Sequence, residues 1–436
     1  MKSPLSLHTG ADLLREMVST RTITRLIPMR HPLHYHLTVL LAVFGIAMAG
    51  LSCRRPQSPD RHARVLRNIS IYEEQGEYCA WPDIERTASG DLIVAFCRSE
   101  EHLGPDGQIL LSRSTDNGAT WQTPDLIFNT AIDDRESGLT PLSGGRILGH
   151  FWSTFHTPDR YAALEPNSYE EPVLARWVRQ ILEPTYLAAK DSQGAWCALT
   201  TDGGKSWTRP VPGKDAIHGG IQLKNGSILV ASYRECTDSV AVCLSDSPLA
   251  SWRRISVIAS PRPDSISFGE PHLLQLESGR VIMMIRATVK PYNDQDPRCV
   301  LWETYSDDDG ESWVKPFATP LWGFPPHLAL LSGGRVLCSY GYRRPPYGIR
   351  ACVSEDGVTW GTEDEVILRD DAPNADLGYP CSIELAPGVV LTVYYQPDVP
   401  AGTVQRMKPP DPGRAKPGIL GTMWKVGGES GNGRQK

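Results

Sequence analysis

Six times between Trp81 and Tyr395 the chain repeats one unit: an apolar segment, a tight turn built around Gly, and a second apolar segment. The copies read WPDIERTASGDLIVAFCR from Trp81, GLTPLSGGRILGHFW from Gly138, GGIQLKNGSILVASYR from Gly219, FGEPHLLQLESGRVIMMIR from Phe268, FPPHLALLSGGRVLCSYG from Phe324 and YPCSIELAPGVVLTVYY from Tyr379. Apolar runs on both sides of a glycine turn predict a β-hairpin, and self-similarity at a regular spacing predicts a repeat architecture. A second element follows most copies: STDNGATW ending at Trp121, TTDGGKSW at Trp207, SDDDGESW at Trp313, and weaker versions at Trp252 and Trp360. In S-x-D-x-G-x-x-W the Asp accepts hydrogen bonds from the turn backbone, the Gly supplies a left-handed conformation and the Trp packs on a neighbour. That is a structural device, not a substrate contact.

Two hairpins per repeat make a four-stranded antiparallel sheet. Six such sheets exceed what one open sheet tolerates, so the expected fold is all-β, a six-bladed β-propeller closed radially. Gly 39, Pro 36 and Trp 12 fit a turn-rich β chain. The exception is YEEPVLARWVRQILE around Trp177, which predicts a short helix inserted in the long second repeat. The propeller is expected over 68–427, with 428–436 as a flexible tail. A formal net charge of -6 without a basic block argues against a nucleic-acid partner, and a monomer is expected.

Residues 1–53 differ in kind. From Met29 the chain runs MRHPLHYHLTVLLAVFGIAMAGLSC, a basic start and a short apolar run that predict a secretory signal, with the true start near Met29. GLSC is a degenerate lipobox, so lipid attachment at Cys53 and simple cleavage both stay open; either implies export, periplasmic, secreted or at the cell surface. Export permits disulfides, yet Cys97, Cys243, Cys338 and Cys352 lie in apolar strand-like runs and are expected as buried thiols. No CxxC pair or His spacing suggests zinc, and nothing in the sequence requires a metal or other cofactor.

In a propeller the start of each repeat and the loop after its second strand converge on the channel mouth. That rule gathers Glu270 and Arg286 with Asp134 and Arg135, His218, Asp376 and Tyr379, and with Arg98, Arg234 and Arg343, which follow other second strands. So many cations clustered with Glu and Tyr imply partner carboxylates or an anionic ligand.

The repeats with their Asp boxes resemble the sialidase (neuraminidase) superfamily, from about Asn68 to Val426. GEPHLLQLESGRVIMMIR resembles the sialidase motif in which a Glu opens an inner strand and an Arg of the carboxylate-binding triad closes the next. GYPCSIELAPG resembles the motif that carries the tyrosine nucleophile. The resemblance implies that Tyr379 attacks the anomeric carbon, that Glu270 takes its proton, and that Arg286 and Arg343 clamp an acidic sugar. A phenol needs such a base, and a neutral nucleophile avoids repelling an anionic sugar.

The sequence departs from that family in two places. Ala80, beside Trp81, stands where the first triad Arg belongs, so Arg98 or Arg135 is expected to replace it and Trp81 to stack on a sugar face. The loop SEEHLGPDG after Arg98 offers Asp106 or His102 as acid/base, and Arg344 and Arg350 compete with Arg343. Three functions follow: an exported retaining exo-glycosidase acting on sialic acid or a related acidic sugar, a polysaccharide hydrolase or lyase using His102 or His218 with Tyr379, and a non-catalytic glycan-binding propeller.

Overall fold

The computed structural model describes residues 63–164, 169–398 and 416–427. The leader, Met29, Cys53 and the tail 428–436 lie outside them. Six four-stranded antiparallel sheets form the blades of a six-bladed propeller. Their innermost strands are Tyr78–Arg86, Asp133–Leu142, Ile221–Gln222, Ile266–Gln275, Pro326–Leu330 and Gly378–Ala386. Each touches the innermost strand of the next blade, and the sixth touches the first, which closes the ring.

Closure uses a strand that the repeat pattern does not reveal. Inside to outside, the sixth blade runs Gly378–Ala386, Val389–Gln396, Gly418–Lys425 and then Arg64–Tyr72 from the opposite end of the described chain. The second strands, such as Leu92–Ser99 and Val281–Val289, are buried along nearly their whole length. Blade faces cover one another, so these strands read as continuous apolar runs.

The Asp boxes join neighbouring blades. In each of four boxes a Ser or Thr hydroxyl bonds to the Asp and accepts the glycine N–H, as in Ser306 Oγ to Asp308 at 2.7 Å and Gly310 N to Ser306 Oγ at 2.9 Å. A Cβ on Gly118 would meet Leu391 and Met423 of the sixth blade, one on Gly204 Leu111 of the first, and one on Gly310 Leu229 of the third. Trp207 packs edge-on against Phe128 of the first blade, 5.4 Å between rings. All nine cysteines among the described residues are free, Cys97, Cys243, Cys338 and Cys352 buried among them.

Three helices, Pro158–Ala162, Glu171–Ile181 and Pro184–Ala188, stand where one was expected. Trp177 is fully buried under them and donates Nε1–H to Glu100 at 2.8 Å, which holds the insertion against the loop carrying His102.

Candidate active site at the channel mouth

One backbone irregularity aims the site. In four blades the innermost pair slips register, between Ala80 and Asp83, Arg135 and Gly138, Gly269 and His272, and Gly378 and Cys381. Within each slip one non-glycine residue is left-handed: Trp81 (φ 54°), Glu136 (φ 55°), Glu270 (φ 42°) and Tyr379 (φ 49°). A bulge re-aims a side chain, and the left-handed backbone costs roughly 1–2 kcal/mol per non-glycine residue. The recurrence of this conformation in four blades points to function.

Two of these residues meet. Tyr379 Oη donates to Glu270 Oε1 at 2.7 Å, and Arg286 donates to Oε2 of the same carboxylate at 2.6 Å. Arg343 lies 5.6 Å from the Tyr379 ring centroid, braced by Leu377 O at 2.9 Å and Tyr395 Oη at 3.3 Å. Phe324 underlies both cations, with its ring centroid 4.4 Å from the Arg286 guanidinium carbon and 5.2 Å from that of Arg343. Burial, and then the Glu270 charge, push the Tyr379 phenol well above its ordinary pKa, so it rests protonated with its proton on the line to Glu270. Glu270 and Arg286 also line a depression of about 300 Å³ with Tyr233, Gly269 and Thr288.

A second cavity of about 350 Å³ is lined by His102, Arg135, Glu136, Trp152, Arg160 and Arg234, among others. Tyr233 Oη donates to Glu136 at 2.9 Å and Arg234 pairs with the same oxygen. Burial alone would raise the Glu136 pKa, but Arg234 and Arg135 overcome it and hold the carboxyl below its ordinary value. Tyr78 Oη donates to Asp376 at 2.7 Å and lies 2.6 Å from His102 Nδ1. Tyr78 thereby links His102 to Asp376. Trp81 joins the two halves, edge-on to His102 at 5.3 Å and to Tyr379 at 6.4 Å.

Several sequence-derived candidates stand elsewhere. Arg98 pairs with Glu74 at 3.0 Å and bonds Gln108, outside both cavities, so it does not replace the missing Arg. Asp134 is fully buried, accepting from Ser153 and Thr130, and braces its strand instead of meeting ligand. Asp106 receives the Glu100 N–H on both oxygens and holds the loop; burial raises its pKa to about 6. Arg135 does border the second cavity, but it is buried, bonded to Asp133 and to His102 O, and stacked on Trp81 at 4.4 Å. It positions the His102 loop. Trp81 itself is 2% exposed, too covered to stack on a sugar in this conformation. Arg344 lies over Trp322, and Arg350 is buried against Arg369 O, which leaves Arg343 as the cation beside Tyr379. Glu136 and Tyr233 escaped the sequence reading. Glu136 lacks the following Pro that marks Trp81, Glu270 and Tyr379, so only its place two residues before Gly138 in the repeat could have found it.

The fold and repeats define a six-bladed β-propeller whose blades carry Asp-box hairpins. Residues 187–391 match the family described as the BNR repeat-like domain. No curated protein matches the sequence. Among solved structures, a protein of unknown function from Dyadobacter fermentans is 24% identical with a TM-score of 0.63, the match covering 84% of this chain and 99% of that one. The NanB sialidase of Streptococcus pneumoniae is 13% identical with a TM-score of 0.50, over 74% of this chain and 66% of that one. Trypanosoma rangeli sialidase is 11% identical with a TM-score of 0.52, over 84% and 59%. The chain thus spans less than two thirds of the length of each of these sialidases.

Proposed function

We propose that the protein is an exported retaining exo-glycosidase that removes a terminal sialic acid or related acidic sugar from glycans. The observation that carries this reading is the Tyr379–Glu270 hydrogen bond at 2.7 Å with Arg286 on the other carboxylate oxygen. Arg286 and Arg343 receive the sugar carboxylate. As the Tyr379 oxygen bonds to the anomeric carbon, its proton passes to Glu270 and the bond to the leaving oxygen breaks, that oxygen being protonated by His102. In the second step His102 takes a proton from water, water displaces the tyrosine oxygen, and Glu270 returns its proton. His102 is the acid/base of this reading because it borders a cavity, whereas Asp106 is turned into its own loop.

The test is release of a fluorogenic aglycone from the α-glycoside of N-acetylneuraminic acid by the purified protein. Tyr379→Phe and Glu270→Gln should each lower kcat by about 10²-fold or more. Absence of turnover by folded wild-type protein would reject the sialidase reading.

A lyase reading has its own support. Trp81 occupies the neighbourhood where a third triad Arg would stand, and His102 is held by Tyr78 and Asp376 beside Arg160 and Arg234. In this reading His102 removes the proton beside a uronate carboxylate that the arginines neutralise. Appearance of unsaturated product from a polyuronate, lost in His102→Gln, would select it.

A further inference from the structure

Beneath Tyr379 the bulges leave a polar cluster that the proposed glycosidase chemistry does not use. Asp83, Cys381 and His218 come from three different repeats, and one donor atom of each lies within 4.8 Å of the others. All three are buried, at 1%, 1% and 3% exposure. Cys381 Sγ is 2.8 Å from Asp83 Oδ1 and 3.0 Å from His327 Nε2. Asp83 is held in place by the Ile84 N–H at 3.0 Å and the Leu139 N–H at 2.6 Å. Neither nitrogen of His218 has a hydrogen-bond partner among the described residues. A buried imidazole with both nitrogens unpartnered is expensive, and this one lies 6.2 Å from the Tyr379 ring and 5.4 Å from that of His327.

We propose that Cys381 Sγ, the Asp83 carboxylate and a ring nitrogen of His218 bind a divalent transition-metal ion of the zinc class beneath Tyr379. Sulfur and imidazole together with one carboxylate suit Zn²⁺ or Co²⁺ rather than Mg²⁺ or Ca²⁺. Tetrahedral Zn²⁺ sets its ligand atoms about 3.3–3.6 Å apart, so the donors need shifts of an ångström or so, within the reach of side-chain rotation. Binding replaces the thiol proton, which leaves to solvent, with a metal–sulfur bond. One thiolate, one carboxylate and one neutral imidazole then balance the dication, so the buried site carries no net charge. His327 completes the surroundings without ligating. Its Nδ1 accepts the Ser382 N–H at 3.3 Å, so its Nε2 bears a proton directed at the Cys381 sulfur, as an outer-shell donor does.

Such an ion would fasten three innermost regions of the propeller beneath the proposed nucleophile. The test uses the whole protein, stripped with a chelator and titrated with Co²⁺ and with Zn²⁺. The expected result is one equivalent per chain, a thiolate-to-cobalt charge-transfer band in the near ultraviolet, and a higher melting temperature with either ion. Cys381→Ser should abolish the band, and His218→Asn should weaken binding by ~10-fold or more. The second variant keeps the test valid if the first does not fold. Wild-type protein that gives no band and no thermal shift, or a band that survives Cys381→Ser, overturns the proposal and leaves the cluster as a hydrogen-bonded plug.

Discussion

Tyr379, Glu270, Glu136 and Trp81 each hold a backbone angle that side chains disfavour, and each is a residue the site needs in one direction only. The strain is sustained by ion pairs such as Arg286 with Glu270, whose side chains are 12% and 13% exposed. Arg286→Lys keeps a charge but loses the planar fork, so kcat/KM on an acidic glycoside should fall by about 10- to 100-fold, measured against a neutral glycoside as control. Far from the mouth, Glu303 is fully buried and its pKa is raised to about 8 by desolvation, against the pull of the Trp360 indole N–H that it accepts at 2.6 Å. The folded state therefore holds this proton more tightly than the unfolded chain does. Its stabilising contribution is present below the ordinary Glu pKa of about 4.3 and is lost as pH rises toward 8, at up to roughly 1.4 kcal/mol per pH unit. Glu303→Gln keeps an acceptor for Trp360 and should flatten the stability profile between about pH 5 and 8, as read by denaturant unfolding.

At the scale of elements, the Asp-box hairpin is a dock between blades. Gly310 (φ 93°) places its Cα so that an added Cβ would meet Leu229 of the preceding blade at 3.1 Å, whereas Gly279 (φ 98°) faces nothing within 4 Å. Alanine at either position incurs the left-handed penalty, about 1 kcal/mol. Gly310→Ala should lose more than Gly279→Ala by thermal unfolding, the difference reporting the blade contact. Equal losses would mean that the box is only a local turn. The helical insertion acts at the same scale: Phe155 and Arg160 on its approach form one wall of the His102 cavity, and Trp177 anchors the loop opposite.

For the whole molecule the sixth blade decides integrity, because its outer strand Arg64–Tyr72 is the only part of the described chain before the first blade that closes the ring. Removing it would leave Gly418–Lys425, buried except at its last residue, as an open edge. A chain beginning at Glu73 should aggregate or melt at markedly lower temperature by size exclusion and calorimetry; an unchanged monomer would refute the closure argument.

Sequence periodicity alone determined the β class, the six repeats and the turn role of the Asp boxes, because hairpins and turns are local; the charges of Glu270 and Arg286 interrupt that pattern, and the roles expected of them and of Tyr379 came from family resemblance. Local pattern could not show that Arg98 turns to Glu74 or that Asp106 folds into its loop, since both depend on side-chain direction at a strand end. Nor could it show Glu136 beside Tyr233, or Asp83, His218 and Cys381 at one point, residues up to 298 positions apart. Four blades contribute one bulge each, and only closure of the ring brings those bulges to a common centre. The residues were written along the chain, and the tertiary structure decided which of them meet.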